Sequence, residues 1–148
     1  MARSSTRSPT GGRSHWPTPA GPEELSKLVS GYLAHCRTQE ERSTEAALTV
    51  TAMTFKSPPE AQWEMVLEAI RQARDDEDLR HVAAGPIEGL LGRHGEACIA
   101  LVEAQATSDP KFARAMTGVW RYTMTDAVWA RVRHLQSRVP NPLASQEK

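Results

Sequence analysis

The stretch SPPEAQWEMVLEAIRQARDDEDLRHVAAGPIEGLLGRHGE, residues 57–96, is helix punctuation almost from end to end. Ser57-Pro58-Pro59-Glu60 predicts a helix start. Ser57 serves as the cap, Pro58 fits the first turn, and Glu60 closes a capping box three residues on. Trp63, Val66, Leu67 and Ile70 follow at helical spacing and predict the buried face. Asp75 or Asp76 then caps a short helix with Leu79, Val82 and Ala83 inside. Gly85-Pro86 reads as the end of that helix and the opening of another. The next helix turns Ile87, Leu90 and Leu91 inward and closes at Gly92 or Gly95.

The same devices recur toward the C-terminus. Glu96 to Thr107 predicts a helix with Cys98, Ile99, Leu101, Val102 and Gln105 on one face. Asp109-Pro110 repeats the cap and proline, and Phe112, Ala115, Met116 and Val119 point inward as far as Gly118. Thr123 or Thr125 caps a last helix carrying Val128, Trp129, Val132 and Leu135. Toward the N-terminus, Pro22 to Arg37 predicts a helix with Leu25, Leu28, Val29, Tyr32, Leu33 and Cys36 on one side. Residues 41–54 carry a weaker stripe of Ala47, Leu48, Thr51, Ala52 and Phe55. Their Thr and Val content makes this the one segment where the pattern also admits a strand.

These elements predict an all-α fold: a compact bundle of about six to eight short antiparallel helices. The middle, residues 57–107, reads as stacked helical hairpins of the solenoid kind, without a clean period. The domain spans residues 23–138. Residues 1–22 are rich in Ser, Thr, Arg, Pro and Gly and are expected to form a disordered arm. Residues 139–148 are expected to form a loose tail.

Composition narrows the function classes. The 148 residues carry 18 Lys and Arg against 18 Asp and Glu, so the net charge is zero. The charge is unevenly spread. The arm holds Arg3, Arg7 and Arg13 with no acid, residues 60–78 are strongly acidic, and residues 111–138 are mainly basic. Such asymmetry steers a partner or pairs parts of one domain. The two cysteines, Cys36 and Cys98, lie on apolar helix faces and support no disulfide framework. No apolar run is long enough for a membrane span, and the basic start lacks the apolar core of a secretory signal. A cytoplasmic location without membrane contact is expected.

Few residues carry chemistry. His15, His35, His81, His94 and His134 have no metal-ligand spacing, and no phosphate loop, dinucleotide fingerprint or nucleophile elbow occurs. Neither a cofactor nor a metal is expected. The acidic run Asp75-Asp76-Glu77-Asp78 reads as a capped and solvated first turn. Six residues stand out as interaction or pocket candidates. Glu88 lies in an otherwise apolar helix and is placed to reach free backbone N–H groups. His94 precedes Gly95 at an expected helix end. Trp120 and Arg121 pair an aromatic with a base at a turn. Arg131 belongs to the basic C-terminal helix. Trp16 is the single large apolar residue of the arm, placed to dock on its own domain or on a partner.

A set of short motifs resembles a known family. They are Pro59-Glu60-Ala61-Gln62-Trp63-Glu64, Ala84-Gly85-Pro86-Ile87-Glu88-Gly89-Leu90-Leu91, His94-Gly95-Glu96, Asp109-Pro110-Lys111-Phe112, Gly118-Val119-Trp120 and Val128-Trp129. Over residues 25–136 the chain is similar to small bacterial all-helical proteins grouped as a domain of unknown function. The resemblance implies an all-helical fold and no activity.

The expected function is a non-catalytic protein-interaction module, of adaptor or toxin-neutralising type by analogy of fold alone. The alternative is a nucleic-acid-binding accessory protein using the basic arm and the C-terminal helices, with Arg131, Arg133 and Arg138 on phosphates. A less favoured reading is a small-ligand pocket built around Glu88, His94 and Asp109.

Overall fold

A computed structural model describes residues 19–38 and 44–144. Among them the chain forms α1 (Pro22–Thr38), α2 (Thr44–Lys56), α3 (Pro59–Gln72), α4 (Asp76–Val82), a π-helical turn (Ala83–Ile87), α5 (Glu88–Ser108), α6 (Pro110–Met116) and α7 (Asp126–Ser137). The described residues hold no strand, and the fold is all-α as the punctuation predicts. Helices α1 and α2 pack on each other at one flank and α6 and α7 at the opposite one, with α3, the π turn and α5 between. Val66, Val82, Ile87, Leu90, Val102, Phe112 and Met116 are fully excluded from water along this shared interior.

Three of the expected caps form. Asp75 accepts from the Asp78 N–H at 2.9 Å, Asp109 from Lys111 and Phe112 at 3.1 and 3.2 Å, and Thr125 from Val128 at 3.1 Å. The Ser57 capping box does not form; Pro58 precedes α3 without a side-chain cap. Ser57 is buried instead, and its carbonyl accepts from Gln62 Nε2 at 2.7 Å and Arg93 Nη1 at 3.2 Å, with His94 Nε2 at 3.4 Å. That carbonyl joins the α2–α3 corner to α5.

The expected break at Gly85-Pro86 is absent. Helical backbone runs from α4 through the π turn into α5, with φ/ψ of −64/−45 at Ala83 and −61/−40 at Glu88. Pro86 lacks an N–H and its ring crowds the preceding turn; a wider π turn accommodates both. Residues 57–107 therefore do not form stacked hairpins. The end expected at Gly92 or Gly95 takes the form of a kink between them, where two helical pieces of α5 meet, and no described glycine has a positive φ. The helix bends at His94, whose φ/ψ is −129/27.

The α5 glycines serve close approach instead. A Cβ on Gly89 would overlap the Thr54 methyl of α2, and one on Gly92 would lie 2.5 Å from the Tyr122 carbonyl. A Cβ on Gly95 would sit 3.1 Å from Val128 of α7. Similarly, a Cβ on Gly31 of α1 would stand 2.7 Å from Ala46 of α2. These contacts set the rotation of α2. Val50, Met53 and Thr54 are buried, whereas Leu48 is 65% exposed and Phe55 42%, which corrects the expected Leu48–Phe55 stripe. The weak segment is helical over Thr44–Lys56; residues 41–43 lie outside the described ones.

One acid of the run 75–78 also departs from expectation. Asp78 is completely buried and takes a bidentate bond from Arg37 of α1 at 3.0 and 2.7 Å and a third from the Arg74 N–H at 2.8 Å. Burial pushes its carboxyl up, but the bonds from Arg37 and Arg74 outweigh that and hold it below the usual range. The segment after α7 also differs from a loose tail through residue 144. Leu143 is buried, its N–H bonds Thr117 Oγ1 at 2.9 Å, and Arg114 Nε donates to the Asn141 carbonyl at 2.7 Å.

Two outcomes are expected in urea unfolding. Gly89→Ala should destabilise by roughly 1–3 kcal/mol through overpacking, although intrinsic helix propensity alone favours Ala by about 1 kcal/mol. Arg37→Ala should cost about 3 kcal/mol, because it strands a buried carboxylate. A carboxyl held low contributes stability that is present above its unfolded pKa and lost as pH falls through the folded value. The wild-type chain should therefore lose stability faster than Arg37→Ala on acidification below about pH 4.

Candidate functional site

Residues 117–125 leave α6, cross the first turns of α5 and enter α7. An irregular segment of this length carries backbone groups that need partners, and side chains from both helices supply them. Gln136 of α7 donates Nε2 to the carbonyls of Met116 and Val119, each at 2.9 Å. Glu88 Oε2, in the first turn of α5, accepts the Trp120 N–H at 2.8 Å. Arg121 donates to the Met124 carbonyl at 3.0 Å and pairs with Asp126 at 2.6 Å. The Thr125 hydroxyl donates to Glu96 at 2.8 Å. Thr123 takes a φ of 54°, in the left-handed region that a β-branched residue rarely enters. The path is held by its neighbours, and strain of this kind persists only where the surroundings over-determine it.

This fastening turns two aromatic side chains outward, Trp120 and Tyr122. Trp120 is 56% exposed. Two residues on, Tyr122 meets Phe55 of α2 edge-on with ring centroids 6.5 Å apart. Beside Trp120 lies a hollow of about 540 Å³, lined among others by Arg80, His81, Trp129, Arg133 and Gln136. The Arg133 guanidinium lies 5.7 Å from the centre of the Trp129 ring, within cation–π reach. Glu77 accepts from Arg80 Nη1 at 3.0 Å and stands 3.7 Å from His81 Nε2. Arg80 Nε is buried without a hydrogen-bond partner. The hollow thus offers indole surface with guanidinium edges, suited to an apolar side chain that carries a nearby carboxylate.

The six sequence candidates divide. Glu88, Trp120 and Arg121 come together on the crossing segment. Glu88 reaches a backbone N–H, as its position suggested, but in the turn after α6 rather than at a helix start. His94 lies apart from Glu88 and Trp120 at the α5 kink, where one helical piece ends as expected, with its ring toward the Ser57 carbonyl. Arg131 is also apart, its guanidinium paired with Glu103 of α5 at 2.5 and 2.9 Å. Trp16 lies outside the described residues. Glu88, His94 and Asp109 do not surround a shared pocket: each is bonded in a different part of the fold. Sequence reasoning passed over Trp129 and Gln136 as site residues and considered Arg133 only as a phosphate contact. Their spacing of four and three along α7 places them on one helix face, and that signal was available.

Burial pushes the Glu88 carboxyl up, and the bond from the Trp120 N–H only partly offsets this. A carboxyl raised in the fold contributes stability that is complete below its unfolded pKa and lost as pH rises through the folded value. Its charge is therefore a cost at neutral pH. Glu88→Gln keeps an acceptor for Trp120 without that charge and should be no less stable than wild type in urea at pH 7. Glu88→Ala should lose about 1 kcal/mol, because the Trp120 N–H is left without its acceptor.

Among the described residues no group of three or more His, Cys, Asp or Glu side chains could hold a metal ion, and no helix is long and apolar enough to cross a membrane. No curated protein and no solved structure matches the chain. The model of a family of unknown function (DUF6869) matches residues 34–139, which include the α5 glycines, Glu88, the whole crossing segment and α7. The chain therefore belongs to that family.

Proposed function

We propose that this protein is a protein-interaction module whose contact surface is the 117–125 crossing and the hollow beside it. The observation that carries the reading is an exposed Trp120 on backbone tied to Glu88 on one side and, through Val119, to Gln136 on the other. An aromatic held this way loses little freedom on binding, so most of its contact energy is available for affinity. Trp and Arg dominate the energetics of protein interfaces, and here two Trp and two Arg border one hollow.

The charge pattern supports a protein partner over a nucleic acid. Three of the C-terminal bases are engaged within the fold: Arg114 with Asp76, Arg121 with Asp126 and Arg131 with Glu103. A surface that tracks phosphates needs several uncommitted cations, and these three direct their charge at carboxylates of the domain itself. Arg133 stands at the hollow beside the Trp129 ring, with Arg80 also on the lining.

The test is affinity capture from native extract with the full chain and with Trp120→Ala. The wild-type chain is expected to return a protein partner in stoichiometric amount. Trp120→Ala should weaken that complex by about 2 kcal/mol or more, as truncation of an anchor residue does, while the variant itself stays folded by circular dichroism. Recovery of nucleic acid instead, with salt-sensitive affinity lost on Arg133→Ala and kept in Trp120→Ala, would overturn the reading.

A further inference from the structure

A second surface lies on the opposite flank and is independent of the crossing segment. The start of α1 and one face of α3 enclose a groove of about 400 Å³ lined by Pro19, Pro22, Leu25, Ala61 and Leu67, with Met53 of α2 also at its wall. Its rim carries two acids and one base, Glu64, Glu68 and Arg71. Glu68 is bonded to Arg71 and Gln72, whereas Glu64 is exposed and forms no ion pair among the described residues.

We infer that the occupant of this groove is the chain's own N-terminal segment, with Trp16 as the inserted side chain. The described chain begins at Pro19, and Pro19 itself lines the groove. Trp16 stands three residues before it, and three residues span at most about 11 Å. The Trp16 Cα therefore stays within that distance of Pro19, which keeps the indole at a high effective concentration near the groove. Pro17 and Pro19 fix φ at two of the intervening positions, which lowers the entropy lost on docking. The volume accommodates an indole, and Trp buries about 150–250 Å² when enclosed. The charges match as well. Residues 1–18 carry Arg3, Arg7 and Arg13 with no acid, and Arg13 precedes Trp16 by three positions, in reach of a rim that carries Glu64.

The experiment uses the full chain with 5-fluorotryptophan at all four Trp positions, read by fluorine NMR, with Trp16→Phe assigning the Trp16 signal. The expected result is a Trp16 signal displaced from that of a free indole and independent of protein concentration. Leu67→Lys, which fills the groove and adds a repelling charge, should return it to the free position and leave the Trp120 and Trp129 signals in place. Glu64→Lys, on the exposed rim, should shift it the same way without threatening the fold. Tryptic cleavage after Arg13 should be several-fold faster in both variants than in wild type. A Trp16 signal already at the free position in wild type overturns the inference. So does a displaced signal that neither variant moves, which places the indole elsewhere. A displaced signal that is lost on dilution assigns the groove to the arm of a second copy and overturns the intramolecular form.

Discussion

The fold depends on space left empty along α5. At Gly89, Gly92 and Gly95 the helix presents bare backbone, and three different elements use it: Thr54 of α2, the Tyr122–Thr123 turn and Val128 of α7. A glycine inside a helix costs about 1 kcal/mol against alanine, so three of them are an intrinsic liability of the segment. Close approach offsets that liability, since atoms in direct contact recover dispersion energy that a gap forfeits. The same empty space lets an irregular segment lie flat on a helix and find hydrogen-bond partners on it.

Polar groups then fix how the flanks meet this helix. The Ser57 carbonyl gathers donors from α3 and α5 at the end of α2, and the Asp78 carboxylate ties α1 to the corner between α3 and α4. Both acceptors are buried and met by several donors, the condition under which an interior polar group is tolerated. Arg114 reaches from α6 to Asp76 at the start of α4, so part of the sequence's uneven charge is consumed inside the domain. Aromatic surface rather than net charge is left as the distinctive feature of the exterior.

Much of the fold could be read from the sequence, and the misreadings share a cause. Asp75, Asp109 and Thr125 act as the caps they resemble because capping is local: side chain and partner lie within three residues. Gly85-Pro86 was read as a break because its usual role at helix ends is local too, whereas the end expected at Gly92 or Gly95 is present as the kink at His94. The α5 glycines have tertiary reasons, since the atoms facing Gly89, Gly92 and Gly95 belong to α2, the 122–123 turn and α7. Leu48 and Phe55 were assigned inward by helical spacing, yet the α2 face is chosen by its small residues, Ala46 and Thr54, meeting glycines. Asp78 looked like its solvated neighbours, and only the position of Arg37, forty-one residues away in the chain, distinguishes it. In the candidate site, Glu88, Trp120 and Arg121 stood out as polar or aromatic residues in unusual places. Gln136 has no such signature, and its function in positioning Val119 emerges only from the folded path.

A pinned crossing segment that holds a tryptophan in solvent is the claim on which the functional account stands. Backbone amide hydrogen exchange of the folded chain tests it most directly, residue by residue. The Trp120 amide should exchange as slowly as amides inside α5, because its N–H is bonded to Glu88 and its carbonyl neighbours are held. Exchange at Trp120 as fast as in an unstructured peptide, with α5 itself still protected, would mean that the indole is not presented on a fixed support, and the account would be wrong.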